Sequence, residues 1–191
     1  MSEVVLYHHV QGLTEGVRTF AEEVRRAGHT VHTPDLFDGR TFGTLEEGIG
    51  FGRGEGFEAL AERGVAAAQQ IGPGAVYAGF SFGVMPAQQL AQTRPGARGA
   101  LLMYSCLPVS EFGAAWPDGV PVQVHGKEND PFFAEDLEAA QALVDSTDRA
   151  ELFLYPGQEH LFADSSLPAY DPSAAALLTE RVLAFLNTVH G

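Results

Sequence analysis

The chain has little positive charge and almost no cysteine. Of its 191 residues, 25 are acidic and only 11 are Lys or Arg, which gives a formal net charge of −14. Phosphates would be repelled by such a surface, so the composition argues against nucleic acid as a partner. Cys106 is the only cysteine, so no internal disulfide can form. No apolar run approaches the roughly 20 residues that span a bilayer, and we expect no membrane partner.

The amino-terminal sequence MSEVVLYHHV also lacks the basic start and the long apolar segment of a signal peptide. Together with the lone cysteine, this absence predicts a cytoplasmic enzyme or binding domain. The sequence shows no internal repeat and no composition shift, so we expect a single domain over residues 1–191. The oligomeric state is left open, a homodimer among the options.

Short apolar runs alternate with longer amphipathic segments along the chain. Strands are predicted at 3–9, 29–34, 74–78, 99–105, 120–125 and 151–155, and helices at 14–28, 57–71, 82–93, within 131–145 and after Asp171-Pro172. This alternation predicts an α/β fold, with a mostly parallel sheet of about six strands and helices on both faces.

Two segments interrupt the alternation. Residues 43–56 contain six glycines, five of them on alternate positions from Gly48 to Gly56. Their spacing does not match a dinucleotide fingerprint, and we expect a flexible connector, with a mobile loop near the site as the alternative. Residues 106–119 form a long loop after a strand, which in a parallel sheet lies at the carboxyl edge where ligands bind.

The pentapeptide GFSFG at residues 79–83 stands between a predicted strand and a predicted helix. G-x-S-x-G in this setting is typical of a nucleophile elbow. The turn imposes strained backbone angles on Ser81, and the flanking glycines remove side chains that would clash. Pro86 falls near the first helical positions, whose N–H groups have no partner inside the helix. The sequence therefore predicts Ser81 as a nucleophile.

A serine nucleophile needs a base, and the base needs an orienting acid. In hydrolases of this architecture the chain order is Ser, then Asp or Glu, then His. Among the histidines after Ser81, we predict His160 as the base, because it follows a strand and opens at the same edge of the sheet. His125 ends another strand, and His190 is the penultimate residue.

The acid is expected in the loop after the preceding strand, where VHGKENDPFF offers Glu128 and Asp130. We predict Asp130, because the first residues after a strand usually complete the turn. Asp130-Pro131 also has the form of a helix N-cap followed by proline, so the same carboxylate has two candidate roles. Asp164, which follows His160 in the chain, is a minor alternative.

An oxyanion hole needs two backbone N–H groups close to the nucleophile. One should belong to Phe82, the residue after Ser81, and the other to the loop after the first strand, where we predict Val10. Arg53 is a candidate for binding a substrate carboxylate. The following aromatic residues are candidates for an apolar pocket or equally for the core: Phe80, Phe82, Trp116, Phe132 and Phe133.

We expect neither a metal nor a cofactor. His8 and His9 would alternate faces if the first strand continued through them, so they could not readily chelate one ion together. Their spacing from His125 and His160 matches no recurring zinc pattern.

Four segments together resemble the dienelactone hydrolase family of α/β-hydrolases: VVLYHHVQGLT at the start of the chain, GFSFG, VHGKENDPF and YPGQEHLF. The resemblance covers nearly the whole chain in order and spacing. It implies a small α/β-hydrolase fold without the first two strands of the full fold. It also implies Ser81, Asp130 and His160 as the catalytic triad, with Val10 and Phe82 as the oxyanion hole.

The chain departs from that family's founding enzymes at two positions. They carry cysteine where this chain has Ser81, and a glutamate where it has His9. The resemblance therefore implies a serine acyl-enzyme mechanism on small carboxylic esters or lactones, and it leaves open whether dienelactone itself is a substrate. Cys106 has no elbow around it, and we expect it to be a small buried residue.

Two alternatives to an esterase remain at this point. A thioesterase or a small-peptide hydrolase would use the same triad. A non-catalytic α/β-hydrolase-like binding protein is the alternative from outside the enzymes.

Overall fold

A central sheet of six parallel strands, covered by helices on both faces, organises residues 1–189, the part of the chain that the computed structural model describes. The strands are β1 (Glu3–Tyr7), β2 (Thr30–His32), β3 (Ala75–Phe80), β4 (Gly99–Met103), β5 (Val122–Lys127) and β6 (Ala150–Tyr155). The helices are α1 (Glu15–Arg26), α2 (Leu45–Glu55), α3 (Phe57–Ala68), α4 (Val84–Thr93), α5 (Phe133–Ser146) and α6 (Pro172–Thr188).

The strand order is β2-β1-β3-β4-β5-β6, and every neighbouring pair is parallel. The predicted α/β fold is therefore confirmed, and the sheet is parallel throughout. Because parallel strands all end at the same edge, the loops after β1, β3, β4, β5 and β6 gather there. These loops contain the candidate nucleophile, acid and base.

Two hydrophobic layers, one on each face of the sheet, form the core. On one face α1 and α6 pack against the strands, with Phe20 and Leu178 fully or almost fully buried. On the other face α3, α4 and α5 do the same, through residues such as Leu60 and Leu90. All six residues of β3 are buried, because helices cover both sides of this central strand.

Side chains cap the two helices of the first layer. Thr14 accepts a hydrogen bond from the Val17 N–H at the start of α1. Asp171 accepts from the N–H groups of Ser173 and Ala174 at the start of α6, as its position before Pro172 predicts.

The glycine-rich segment 43–56 is not the flexible connector that its composition predicts, since α2 occupies most of it. This helix begins with a capping box, in which Thr44 and Glu47 each accept from the other's backbone N–H. Gly48 lets the helix approach the loop after β1, because an added Cβ would lie 2.1 Å from the Val10 carbonyl oxygen. Capping and close packing together outweigh the low helix propensity of glycine.

The structure also changes one predicted boundary that bears on the site. The predicted strand 3–9 ends at Tyr7, so His8 and His9 belong to the following loop and do not alternate across the sheet. His190 lies outside the described residues. None of the helices within residues 1–189 has the length and apolar character needed to cross a bilayer.

His8 and His125 are both completely buried. The ring of His8 donates from Nδ1 to the His9 carbonyl (2.8 Å) and accepts the Leu36 N–H at Nε2 (3.0 Å). His125 Nδ1 lies 2.9 Å from the Tyr155 hydroxyl. Burial lowers the pKa of His8 to about 4 and the pKa of His125 to about 3.

We therefore expect the protein to lose stability on acidification below neutrality. Both rings bind protons in the unfolded chain as the pH falls through about 6.5, but stay neutral in the folded chain until the pH nears the lowered pKa values. Each histidine should cost about 2 kcal/mol of stability at pH 5 relative to neutral pH. Urea unfolding of the wild type and of His125→Gln at both pH values measures this, and the variant should show the smaller decline. An unchanged decline would contradict the assignment.

Candidate active site

Ser81 lies at the turn where β3 leads into α4. Residues Ser81–Gly83 form one turn of 3₁₀-helix that continues directly as α4. The φ angle of Ser81 is 51°, in the left-handed region that residues other than glycine seldom occupy. Strain of this kind persists where the surrounding structure holds it, and it is concentrated at functional sites.

The two glycines of the pentapeptide allow this turn. A Cβ on Gly79 would lie 2.1 Å from the Gly83 carbonyl oxygen. A Cβ on Gly83 would lie 2.5 Å from the carbonyl oxygen of Tyr7 and 2.7 Å from that of His8. These obstacles are backbone atoms that cannot move aside, so only glycine fits at either position.

The predicted nucleophile, base and acid form one hydrogen-bonded chain. The Ser81 hydroxyl donates to His160 Nε2 over 2.8 Å, and His160 Nδ1–H donates to Asp130 Oδ2 over 2.6 Å. The side chains come from the loops after β3, β6 and β5. His160 and Asp130 are buried, with 8% and 1% of their surface exposed. The carboxylate fixes the tautomer that leaves Nε2 free to accept a proton.

Asp130 contacts both His160 and the backbone that leads into α5, but the N-cap of α5 is Phe132 and not Asp130 as its position before Pro131 predicts. Its Oδ2 binds His160, while its Oδ1 accepts the N–H of Phe132 over 2.9 Å, just before α5 begins. The two contacts use different oxygens and do not compete. The other candidate acid of this loop, Glu128, is exposed.

Two of the other candidates, His125 and Asp164, do not take part in this hydrogen-bonded chain. His125 is enclosed in β5, where it contacts Gln123 and Tyr155. Asp164 does not bind His160; it binds His9 instead, with 2.8 Å between Oδ2 and Nε2.

Lys127, at the end of β5, was not predicted as a site residue. It contacts Glu159, the residue before the candidate base His160. Its side chain is buried, and Nζ lies 2.5 Å from Glu159 Oε2 and 2.7 Å from Asp171 Oδ2. Burial alone would lower the pKa of Lys127, but hydrogen bonds to the two carboxylates outweigh burial and raise it. Because Glu159 precedes His160, this ion cluster holds residues 156–170, the base loop, against the sheet.

An open cleft of about 300 Å³ lies next to this hydrogen-bonded chain. Ser81 and His160 line it, together with Val10 and Phe82, the two residues predicted to supply oxyanion N–H groups. Tyr104 lines it as well. The Tyr104 hydroxyl accepts the N–H of Ala163 (3.0 Å) and so provides a second attachment for the base loop.

The prediction of pocket residues was only partly right. Phe82 and Phe132 line the cleft, whereas Phe80, Trp116 and Phe133 are buried in the core layers. The sequence pattern alone did not reveal which of these rings would face the core, because only Phe80 lies on a strand. Arg53, predicted as a candidate for binding a substrate carboxylate, lies on α2 and is not among the residues that line the cleft.

Cys106, His8 and His9 are not placed where they could form a reactive or metal-binding site. Cys106 is completely buried, and burial raises the pKa of its thiol to about 12. The His8 ring contacts Leu36, and the His9 ring contacts Asp164, so the two do not converge on one ion. Within residues 1–189, no group of three or more His, Cys, Asp or Glu side chains is arranged to hold a metal.

The parallel sheet with its strained serine turn and carboxyl-edge loops defines an α/β-hydrolase. The profile of the dienelactone hydrolase family matches residues 1–190, and the chain belongs to that family. It is accordingly a hydrolase that acts on ester bonds.

Solved structures share this fold at low sequence identity. A dienelactone hydrolase-like promiscuous phosphotriesterase from metagenomic libraries is 19% identical, with a TM-score of 0.75 over 100% of this chain and 87% of that one. A putative dienelactone hydrolase from Klebsiella pneumoniae is 17% identical, with a TM-score of 0.73 over 98% and 87%. A cold-adapted esterase from an Arctic intertidal metagenomic library is 17% identical, with a TM-score of 0.66 over 100% and 83%. No curated protein sequence matches the chain.

The close packing at the elbow predicts the effect of adding one methyl group. Gly83→Ala should destabilise the fold by about 2 kcal/mol and greatly reduce activity, because the Cβ would push β1 and α4 apart. The matched control is Gly50→Ala, on α2, where an added Cβ meets nothing within 4 Å. We expect the control to keep its activity and gain up to about 1 kcal/mol. Equal behaviour of the two variants in thermal unfolding would contradict this account of the elbow.

Proposed function

We propose that the protein is a serine hydrolase that cleaves small carboxylic esters or lactones through an acyl-enzyme. The observation that carries the proposal is the hydrogen-bonded chain from Ser81 through His160 to Asp130 next to an open cleft. Membership of the dienelactone hydrolase family supports ester bonds as the target.

In the proposed first half-reaction, His160 Nε2 takes the Ser81 proton as Oγ attacks the carbonyl carbon. Asp130 stabilises the positively charged imidazole that results. The N–H groups of Phe82 and Val10 bind the oxygen that becomes negative, and each contributes about 3 kcal/mol to the transition state. The tetrahedral intermediate then collapses, and His160 gives its proton to the departing alcohol.

Water completes the proposed cycle. His160 Nε2 accepts a proton from the water molecule as its oxygen attacks the acyl carbon. The second tetrahedral intermediate releases the carboxylic acid, and the proton returns to Ser81 Oγ. The same groups therefore serve both halves of the reaction, and no cofactor is needed.

The surroundings of the cleft favour small, uncharged esters. Its volume of about 300 Å³ is at the lower end of the range for ligand pockets, which begins at about 300 Å³. The carboxylates of Glu135 and Asp136 line it, and no Lys or Arg is among its described lining residues. A substrate that carries a carboxylate would meet repulsion without a compensating cation.

The decisive test is Ser81→Ala. We expect this variant to fold normally and to lose nearly all turnover of p-nitrophenyl acetate and butyrate, because no other group can form the acyl-enzyme. A fluorophosphonate probe should label the wild type at Ser81. The matched control is Ser105→Ala, whose hydroxyl lines the same cleft but binds Asp136 (2.6 Å), and it should still be labelled.

Three results would overturn the proposal: full activity of Ser81→Ala, labelling at Ser105, or an unlabelled but folded wild type. The last of these is the result expected of a non-catalytic binding protein. Comparison of ester, thioester and small-peptide substrates separates the esterase from the other hydrolases that would use the same triad.

A cytoplasmic location of the protein also stays a prediction.

The acidic lining predicts discrimination by substrate charge. At low salt, kcat/KM for 4-carbamoylphenyl butyrate should exceed that for 4-carboxyphenyl butyrate roughly fivefold to tenfold, since the two nearby carboxylates together contribute about 1 kcal/mol of repulsion. The preference should shrink in Glu135→Gln and at high ionic strength. A preference for the carboxylate ester would contradict the prediction.

A further inference from the structure

A second His–Asp pair lies beneath the candidate active site. His9 Nε2 and Asp164 Oδ2 are 2.8 Å apart, and the two side chains are only 1% and 3% exposed. The other ring nitrogen of His9, Nδ1, accepts the backbone N–H of Gln11 over 3.2 Å. Nε2 therefore carries the hydrogen and donates it to the carboxylate.

Asp164 is a charged acceptor that four donors surround. Its Oδ2 accepts from His9 and from the Thr14 hydroxyl, and its Oδ1 accepts the N–H and the hydroxyl of Ser166. Burial alone would raise the pKa of Asp164, but the hydrogen bonds from His9, Ser166 and Thr14 outweigh burial and lower it. The carboxylate thus stays ionised in the interior.

The pair connects two loops that are distant in the sequence. His9 directly precedes Val10 in the loop after β1, and Asp164 lies four residues after His160. We call residues 8–14 the oxyanion loop and residues 156–170 the base loop. Asp164 also packs closely against the start of α1, where a Cβ added at Gly16 would lie 1.7 Å from Asp164 Oδ1.

We propose that His9 and Asp164 are positioning residues that hold the oxyanion loop at the correct distance from the base loop. This role rests on the proposed function, because it concerns the placement of the Val10 N–H relative to Ser81 and His160. Neither side chain of the pair lines the cleft, so neither would touch the substrate.

The consequence for rate follows from the geometry of an oxyanion hole. A donor must lie about 2.7–3.1 Å from the oxygen that becomes charged, and a displacement of about 1 Å can reduce the rate about 100-fold. The base itself has independent supports in Asp130 and in the Lys127 ion cluster. Loss of the His9–Asp164 contact should therefore displace the oxyanion donor more than the base, and should affect kcat more than KM.

The test compares His9→Leu, Asp164→Leu and His9→Gln. We expect the first two to reduce kcat by about 10- to 100-fold while KM changes less than about threefold. His9→Gln should recover most of kcat, because its amide can donate an N–H close to the position of Nε2. The double variant should be little worse than either single variant, since both remove the same contact.

Two measurements separate positioning from loss of fold. Active-site titration with the fluorophosphonate gives kcat per folded site, at a temperature well below the unfolding midpoint of each variant. The inhibition constant of a trifluoromethyl ketone, which forms a tetrahedral oxyanion on Ser81, should rise in proportion to the loss of kcat/KM. A merely structural role would leave both quantities unchanged.

The matched control is His29→Leu at the opposite, amino edge of the sheet. His29 is also buried, and its Nδ1 accepts the Ser2 N–H over 3.3 Å. This variant should lose stability but keep its kcat per titrated site. An equal loss of kcat in His29→Leu, or a kcat within about twofold of wild type in His9→Leu, overturns the positioning role. An inactive, unlabelled wild type overturns the proposed function as well, so the two failures are distinguishable.

Discussion

Ser81 occupies the left-handed region only because its neighbours hold it there. The backbone of Gly83 lies against the carbonyl groups that end β1, and Gly79 lies against Gly83 itself. The strained turn, which costs about 1–3 kcal/mol, is therefore balanced by the packing of β3, all of it buried. The turn directs the Ser81 hydroxyl towards His160. It also places the amino end of α4, with its partial positive charge, in the same region.

Buried charges organise the loops that complete the site. The base loop has no regular secondary structure from residue 156 to residue 170, and few of its backbone groups can pair with a strand. Lys127 attaches one end of it to β5 and α6, and Asp164 attaches the other end to the loop after β1. Because the Lys127 ammonium and the Asp164 carboxylate are themselves buried, loss of their partners would leave an uncompensated charge in the interior.

Local patterns in the sequence predicted most of the fold. Periodicity identified all six strands and five of the six helices, since each of these elements buries an apolar face. The helix α2 was missed because its cap and its close packing outweigh a glycine content that is typical of loops. The order Ser, Asp, His along the chain and the common sheet edge of their three loops allowed Ser81, Asp130 and His160 to be predicted as one group. The pairing of His9 with Asp164 left no such signal, because 155 residues separate them and only the folded chain brings them together.

The burial of Cys106 protects its thiol from oxidation and alkylation. The chain's one sulfhydryl has no exposed surface, and its high pKa keeps it from forming the thiolate that peroxides and alkylating agents attack. A hydroxyl nucleophile is inert to the same oxidants. Under the proposed mechanism, turnover by Ser81 therefore needs no reductant under oxidative stress, whereas a nucleophilic cysteine would be oxidised and lose its activity.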